Sequence, residues 1–168
     1  MNQDKNNQMK IVIDDGARKV PIVNLEGEEL GVFYFRPTDM AIIDRYNEAI
    51  VKLDTVLAPL KDVGINAEGE AMDPEDEAAV KALHEAEERL NEICDYIFGG
   101  NMSEAFFAKM HPFSPVGGYF FCERALEMVG SFIADQFQKE TQKVSSRVVQ
   151  YTKKYSGGNK KRKKGRKK

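Results

Sequence analysis

The chain has 168 residues, 42% of them hydrophobic and 31% charged, which is ordinary for a globular protein with one domain and its own core. No apolar run approaches the about 20 residues that a membrane-spanning helix needs, and the polar start of the chain has no apolar segment typical of a secretory signal. The net charge of −2 is unevenly distributed. Residues 156–168 carry eight Lys and Arg and no acid, so the remainder carries a net charge of −10.

Three short strands are predicted before residue 37. Lys10–Asp14, Val20–Asn24 and Gly31–Arg36 are rich in β-branched or aromatic residues, and Asp15-Gly16 is a typical hairpin turn. Pro21 cannot donate to a strand ladder, so the second strand is expected at a sheet edge or at a bulge. The pattern predicts an antiparallel β meander that needs a helix to cover one face.

The third strand is expected to lie within the core. Phe33 and Phe35 fall on one face and Val32 and Tyr34 on the other, so both faces should be at least partly covered. Pro37 ends this strand because it lacks an N–H group to donate.

The first long helix is predicted to follow at once, capped by Thr38 or Asp39. Its apolar residues recur at spacings of three and four, which places them on one stripe. They are Ile43, Tyr46, Ile50, Leu53, Leu57 and Leu60. The stripe predicts a helix that faces the core. A self-associating coiled-coil interface is the alternative, although the run is shorter than three heptads.

A second long helix is predicted from Asp73–Asp76 to Phe98, where Gly99-Gly100 stops it. Its start combines a carboxylate cap, a proline at the first helical position and acids in the first turn. The residues expected to face inward are Val80, Leu83, Ala86, Leu90, Ile93 and Ile97. The opposite face is rich in Glu and is expected to be solvated, since it lacks the spacing of a calcium loop. The two helices have lengths suited to an antiparallel hairpin.

A short helix, Met102–Met110, is predicted next, with Asn101 or Ser103 as its cap and His111-Pro112 as its end. His111 is interpreted as a turn residue, because no nucleophile or carboxylate accompanies it in a motif.

The last helix is predicted to start at Ser114-Pro115 and to run for about 40 residues, well beyond the usual length. Its first half is apolar over a wide arc and is expected at the centre of the core. The second half is more polar: it either projects from the body or packs along it, and a break near Thr141 is also open. Val148, Tyr151 and Tyr155 form a narrow stripe that would suit partner binding.

The residue chemistry assigns no catalytic residue, no cofactor and no metal site. Cys94 and Cys122 lie in helical patterns and are interpreted as buried apolar side chains in a reducing compartment, while a disulfide between them is left open. There is no CxxC motif, and His84 and His111 have no ligand spacing to either cysteine, which argues against zinc.

Residues 156–168 are expected to form a disordered basic tail, since the charged stretch has no apolar side chain. Its positive charges would bind a polyanion in a salt-dependent way. They belong to Lys160, Lys161, Arg162, Lys163, Lys164, Arg166, Lys167 and Lys168. No aromatic residue is interleaved with them, so base-specific recognition is not expected. Non-specific nucleic-acid binding, contact with an acidic protein and simple solvation all stay open.

The fold class expected from these elements is α+β, with a small N-terminal antiparallel β meander packed on a mostly helical bundle. Residues 1–9 are expected to be disordered. Residues 10–155 form one domain, with the meander in 10–36 and the helices in 37–155, and a long C-terminal helix leads into the basic tail.

One stretch of the chain carries a family resemblance. The short β meander, the phrase VNLEGEELGVFYFRPTD and the helix that bears Arg45-Tyr46 together span Val20–Tyr46. This stretch resembles the small tail assembly chaperones of tailed phages and prophages of Gram-positive bacteria, most closely at Phe35-Arg36-Pro37-Thr38-Asp39. The rest of the chain is similar to them in size, helical content and charged C-terminus.

The resemblance implies a non-catalytic protein that binds the tape measure protein and recruits tail tube subunits in the host cytoplasm. It supplies no catalytic residues to transfer. The alternative is a phage virion or packaging-associated structural protein whose basic C-terminal tail contacts nucleic acid. Self-association is left open, and no membrane partner is expected.

Overall fold

In the computed structural model the described residues are 9–62 and 76–158, and they form an α+β fold in which helices predominate. The elements are β1 (Arg18–Val23), β2 (Glu29–Phe35), α1 (Ala41–Asp62), α2 (Glu77–Phe98), α3 (Met102–Phe107), β3 (Pro115–Val116), β4 (Tyr119–Phe120) and α4 (Phe121–Gly158). The predicted fold class is confirmed. The residues before Met9 and the basic tail after Gly158 lie outside the described ranges. Within those ranges, no helix is long and apolar enough to cross a membrane.

The predicted meander is wrong in its first strand. β1 and β2 pair as an antiparallel hairpin, but residues 10–14 form no strand, and Ile11 is 98% exposed. Pro21 lies opposite Val32, whose carbonyl points away from β1 toward Asn101, so the missing N–H of Pro21 falls on the outer edge of β1. That edge lacks a donor at its centre, and a third strand would gain little by pairing there. The predicted edge position of Pro21 is therefore correct.

The other edge of the hairpin, along β2, is satisfied by a side chain. The N–H of Tyr34 donates to Asn101 Oδ1 at 2.8 Å, and Asn101 Nδ2 donates to the carbonyl of Val32 at 3.1 Å. The carboxamide thus occupies the place of a further strand residue. Gly100 permits the approach, because a Cβ there would lie 2.3 Å from the carbonyl oxygen of Tyr34. Asn101 occupies the N-cap position of α3, as predicted, but its side chain makes no capping bond to that helix.

The start of α3 is held by a carboxylate from the preceding helix. Asp95 Oδ1 accepts from the N–H of Ser103 at 2.8 Å, and Asp95 Oδ2 accepts from Ser103 Oγ at 2.5 Å. Ser103 is therefore a donor to α2 rather than the cap that its sequence position predicted. The helix also ends at Phe107, earlier than expected, and residues 108–110 form a bend.

The predicted cap of α1 is confirmed. Asp39 Oδ1 accepts from the N–H of Ala41 at 3.0 Å, and Asp39 Oδ2 accepts from Arg45 at 3.1 Å. The bond from Ala41, assisted by Arg45, holds the pKa of Asp39 below its ordinary value. Arg45 also donates to the carbonyl of Ile97 at 2.8 Å and so fixes which side of α1 lies against α2.

The predicted core stripe of α1 is one residue out of phase where the structure describes it. The buried side chains are Ile42, Ala49 and Val56. Ile43 and Tyr46 are each 49% exposed. The error comes from Arg45, a cation on the inner side of α1 that donates to the carbonyl of Ile97 in α2. Because the prediction places only apolar residues inside, it turns the predicted buried side of α1 away from Arg45. The other predicted members lie outside the described side chains: Ile50, Leu53, Leu57 and Leu60.

The second long helix follows its prediction closely. Asp76 caps α2 by accepting from two backbone N–H groups, at 3.0 and 3.3 Å, and Gly99 ends the helix with a φ of +58°. The predicted earlier start at residues 73–75 lies outside the described ranges. Among the residues predicted to face inward, Ala86, Leu90 and Ile97 are buried, and the others, Val80, Leu83 and Ile93, are partly buried.

The helices α1 and α2 form the expected antiparallel hairpin. Contacts between them run in opposite chain directions, from Arg45 with Ile97 to Arg89 with Thr55. Their shared interior continues into a cluster of aromatic rings under β2.

This aromatic cluster is the centre of the core. Phe33 and Phe35 stack with ring centroids 4.1 Å apart, and Phe98 of α2 meets both rings edge-on. Phe132 of α4 approaches Phe35 at 6.1 Å. On the outer face of β2, Tyr34 is 50% exposed, so the cover predicted for that face is only partial.

The last helix starts later than predicted. The strands β3 and β4 form a two-residue hairpin around Gly117-Gly118, whose φ values of +59° and +84° are incompatible with a helix. Glu123 Oε2 accepts from the N–H of Phe120 at 2.7 Å, and α4 begins at the next residue. The predicted start at Ser114-Pro115 is wrong, because this signal also fits the entry to a hairpin.

The helix α4 is continuous to Gly158 and has two different halves. In the first half, Cys122, Ala125 and Val129 are buried. From residue 141 to residue 153 every side chain is exposed. The second half therefore projects from the body, which decides between the two open alternatives, and there is no break at Thr141.

Candidate docking surfaces

An open apolar groove lies between the β1–β2 hairpin and the first half of α4, with a volume of about 980 Å³. Val20 and Ile22 of β1 line one side, and Val129 of α4 lines the other. The rings of Phe33 and Phe106, both packed in the core, also line it. Val20 lies opposite Phe33 in the hairpin, so both side chains are on one face, and the groove reaches the core between this face and α4.

Charged side chains also line this groove, among them Glu28, Lys109 and Arg124. Lys109 donates to the carbonyl of Glu29 at 2.7 Å and lies 3.6 Å from the carboxylate of Glu28. Arg124 stands 4.2 Å from the ring centroid of Tyr119. An apolar surface of this extent, bordered by charges, is typical of a site that binds another protein.

A second surface is the projecting half of α4, residues 138–158, which we call the arm. In the predicted binding stripe, Val148 is 51% exposed and Tyr151 is 58% exposed. Val144, which extends the stripe by one turn toward the body, is 50% exposed. The backbone of Tyr155 continues the helix, while its side chain lies outside the described part. The structure thus places Val148 and Tyr151 on an exposed part of the helix, whereas Val144 lines an open hollow together with Arg18 and Thr38.

The body and the arm have opposite charge. Up to Phe137 the sequence has 12 basic and 26 acidic residues, and after Phe137 it has 13 basic residues and one acid, Glu140. Lys139 pairs with Asp135 at 2.6 Å, and Lys143 pairs with Glu140 at 2.6 Å. The eight basic residues predicted as a polyanion-binding tail, between Lys160 and Lys168, lie outside the described ranges.

A third exposed patch is the outer side of α1, where Ile43 and Tyr46 were predicted to be core. Val51 on the same helix is 77% exposed. The neighbouring Asp44 and Glu48 are exposed as well, so this patch combines apolar and acidic side chains. Sequence periodicity found these residues but assigned them to the wrong side of the helix.

The cysteines have no reactive environment. Both are buried, which confirms their interpretation as buried apolar side chains. Both are also free thiols, so they form no disulfide with each other. Burial raises the pKa of the Cys94 thiol to about 12 and that of Cys122 to about 11. Thiols with such pKa values are protonated at neutral pH and are poor nucleophiles.

The histidines are placed near one carboxylate but form no recognisable site. His111 Nε2 lies 3.2 Å from Glu87 without hydrogen-bond geometry, and His84 Nδ1 lies 3.7 Å from the same side chain. His111 Nδ1 accepts from the N–H of Phe113, as expected of a turn residue. In residues 9–62 and 76–158, no group of three or more His, Cys, Asp or Glu could hold a metal ion.

The groove itself was not found from the sequence. The signal that could have indicated it is the alternation of Val20 and Ile22 in a strand whose proline forces it to an edge, because such a strand exposes apolar side chains unless another element covers them. Comparison with known proteins adds no relative: no family model, no curated protein and no solved structure matches this chain.

Proposed function

We propose that this chain is a non-catalytic tail assembly chaperone of a tailed phage or prophage, which binds the tape measure protein and recruits tail tube subunits in the host cytoplasm. The observation that carries the proposal is the presence of two separate exposed apolar surfaces, the groove and the arm. The groove uses α4 as far as Phe132, and the arm begins after Phe137. Two surfaces on one chain suit a protein that holds one partner while it presents another.

The physical requirements of such a chaperone support the proposal. A long coiled-coil protein without its assembly partners exposes apolar stripes and aggregates, so its chaperone must offer apolar surface while staying dissolved itself. The charged residues that line the groove and those along the arm meet the second requirement. The stretch that resembles the chaperone family, Val20–Tyr46, contains most of β1 and all of β2, and both strands line one side of the groove.

Co-expression with the tape measure and tail tube proteins of the same genome tests this function. We expect the long coiled-coil protein to co-purify with the chain at high salt and to become more soluble in its presence. The proposal is wrong if neither protein co-purifies although all three are well expressed. A position of the gene between those for the tube and tape measure proteins would be independent support.

The second candidate is a virion or packaging-associated structural protein whose basic tail contacts nucleic acid. The excess of 13 basic residues over one acid after Phe137 favours it. In this case nucleic acid alone should co-purify and should be lost at high salt. Deletion of residues 156–168 should then abolish DNA binding, because eight of those positive charges are removed. DNA binding that survives the deletion would exclude the tail as the contact.

A further inference from the structure

The apolar stripe of the arm has the spacing of a coiled-coil interface. With Phe137, the residue just before the arm, its members follow one another at intervals of 4, 3, 4, 3 and 4 residues: Phe137, Thr141, Val144, Val148, Tyr151 and Tyr155. Such a 4–3 alternation keeps side chains on one side of a helix that winds around a second helix. Thr141 and Val144 line an open hollow together with Asp14 and Thr38 of the body. Val148 and Tyr151, further along the arm, are exposed, so the place of this second helix is open from Val144 onward within the described part of the chain.

The arm is already helical, so it need not fold when a partner binds. Its helix continues without interruption from the half in which Cys122, Ala125 and Val129 are buried. A helix in water gains little stability from propensity alone and usually depends on packing of its apolar side. The arm instead extends an anchored helix, so the entropy cost of ordering it on binding is reduced.

The charges beside the stripe indicate what kind of helix fits. In this heptad the flanking positions hold Glu140, Arg147 and Lys154 on one side and uncharged Gln138, Ser145 and Thr152 on the other. Glu140 is already paired with Lys143. The flanking positions of the arm therefore carry a net positive charge.

Pairing of two arms is disfavoured by these charges. A parallel pair would bring two basic tails, with eight positive charges each, side by side. An antiparallel pair would face the same flanks, where Arg147 and Lys154 lie. A helix with acidic flanking residues meets neither obstacle.

We infer that the arm forms a two-stranded coiled coil with an amphipathic helix of a partner protein whose flanking positions are acidic. The inference rests on the proposed function in one respect: it makes the arm the surface that takes a helical segment of the tape measure protein, and it leaves the groove for another contact.

Binding of the full chain to a synthetic peptide tests the inference. The probe has three heptads with Leu at the core positions and Glu at the flanking positions, where the acids keep the peptide from pairing with itself. A second probe carries Lys in place of Glu. We expect the chain to bind the Glu peptide and not the Lys peptide in titrations at physiological salt.

A matched pair of valines identifies the surface used. Val148 and Val149 are 51% and 48% exposed on the same helix, but only Val148 belongs to the stripe. We expect Val148→Ser to weaken binding of the Glu peptide by about tenfold or more, and Val149→Ser to change it by less than about twofold. Neither change alters charge, so attraction between the peptide and the basic tail affects both variants equally.

Reversal of charge tests the recognition of acidic flanks. Arg147→Glu with Lys154→Glu should weaken binding of the Glu peptide and allow binding of the Lys peptide. Lys139→Glu with Lys153→Glu makes the same change in charge on the side of the helix opposite the stripe. It is the control and should leave the preference for the Glu peptide intact.

Three results would overturn the inference. The first is absence of binding to the Glu peptide, and the second is an equal loss of peptide affinity in the two valine variants. The third is a dimer of the chain, detected by light scattering, that Val148→Ser dissociates. That result would show that a second copy of the chain occupies the stripe. Failure of the proposed function is distinguishable. If the tape measure protein co-purifies equally with the wild type and Val148→Ser, the function holds and the arm is not its surface.

Discussion

The carboxamide of Asn101 holds the outer edge of β2 with two hydrogen bonds, to Tyr34 and Val32. Asn101→Ala should lower the free energy of unfolding by about 1–2 kcal/mol, because the carbonyl of Val32 loses its partner in a partly buried place and the N–H of Tyr34 loses one nearer the surface. Urea denaturation measures the loss. Asn47→Ala, at an exposed position of α1, is the control and should cost less than about 0.5 kcal/mol. Equal losses would contradict the role of Asn101 in covering the strand.

The raised pKa values of Cys94 and Cys122 predict an unusual pH dependence of thiol alkylation. Only the thiolate reacts with iodoacetamide, and its ordinary pKa is near 9. In the folded protein the labelling rate should therefore keep rising up to pH about 11, whereas in urea it should level off above pH about 9. Mass spectrometry of both peptides measures the rates. A folded-state profile that levels off with the unfolded one would show that the thiols are exposed.

At the scale of elements, two glycines should respond oppositely to the same substitution. A Cβ at Gly100 would lie 2.3 Å from the carbonyl oxygen of Tyr34, so Gly100→Ala must push the α2–α3 connection away from β2 and should destabilise the protein by about 2–3 kcal/mol. A Cβ at Gly130 in α4 meets no atom within 4 Å, and Gly130→Ala should stabilise by about 0.5–1 kcal/mol. Thermal unfolding of both variants gives the signs, and a stabilised Gly100→Ala would refute the close contact.

The helices were predictable from the sequence to the extent that their signals were local. The cap at Asp39 and the stop at Gly99 depend on the first and last turns of a helix and are in the predicted places. The side of α1 that is buried depends on Arg45, whose partner Ile97 is 52 residues away in the sequence. Periodicity contains no information about such a partner.

The difference between local signals and contacts between distant residues also explains the errors around the sheet and the last helix. Ser114-Pro115 fits a helix start and a hairpin entry equally well, and only the φ values of Gly117-Gly118 decide between them. The contact of Asn101 with β2 and the groove beside β1 arise from packing between distant segments. For the arm, the apolar stripe was visible in the sequence, but its exposure followed only from the absence of a covering element within the described part.

At the scale of the whole molecule, the chain consists of an acidic body and a basic arm that meet within one helix. An arm whose side chains are exposed from residue 141 to residue 153 can be specialised for contacts with other molecules, since substitutions at exposed positions cost little stability. The separation of charge also gives the two parts different partners: the arm attracts acidic surfaces, and the body, with 26 acids before residue 138, repels them.

Deletion of residues 146–168 tests this division. Every described side chain that it removes, from residue 146 to residue 153, is exposed, so the free energy of unfolding should stay within about 0.5 kcal/mol of the wild type. The radius of gyration in solution scattering should fall toward the about 15 Å of a compact chain of this size, because a helix of 38 residues is about 57 Å long and its outer part projects. A shorter deletion, of residues 159–168, is the control: it removes the basic tail but leaves the arm, and it should keep the extended scattering profile. A large loss of stability in the longer deletion would mean that the arm folds against the body in solution, and the coiled-coil inference would then lose its exposed surface.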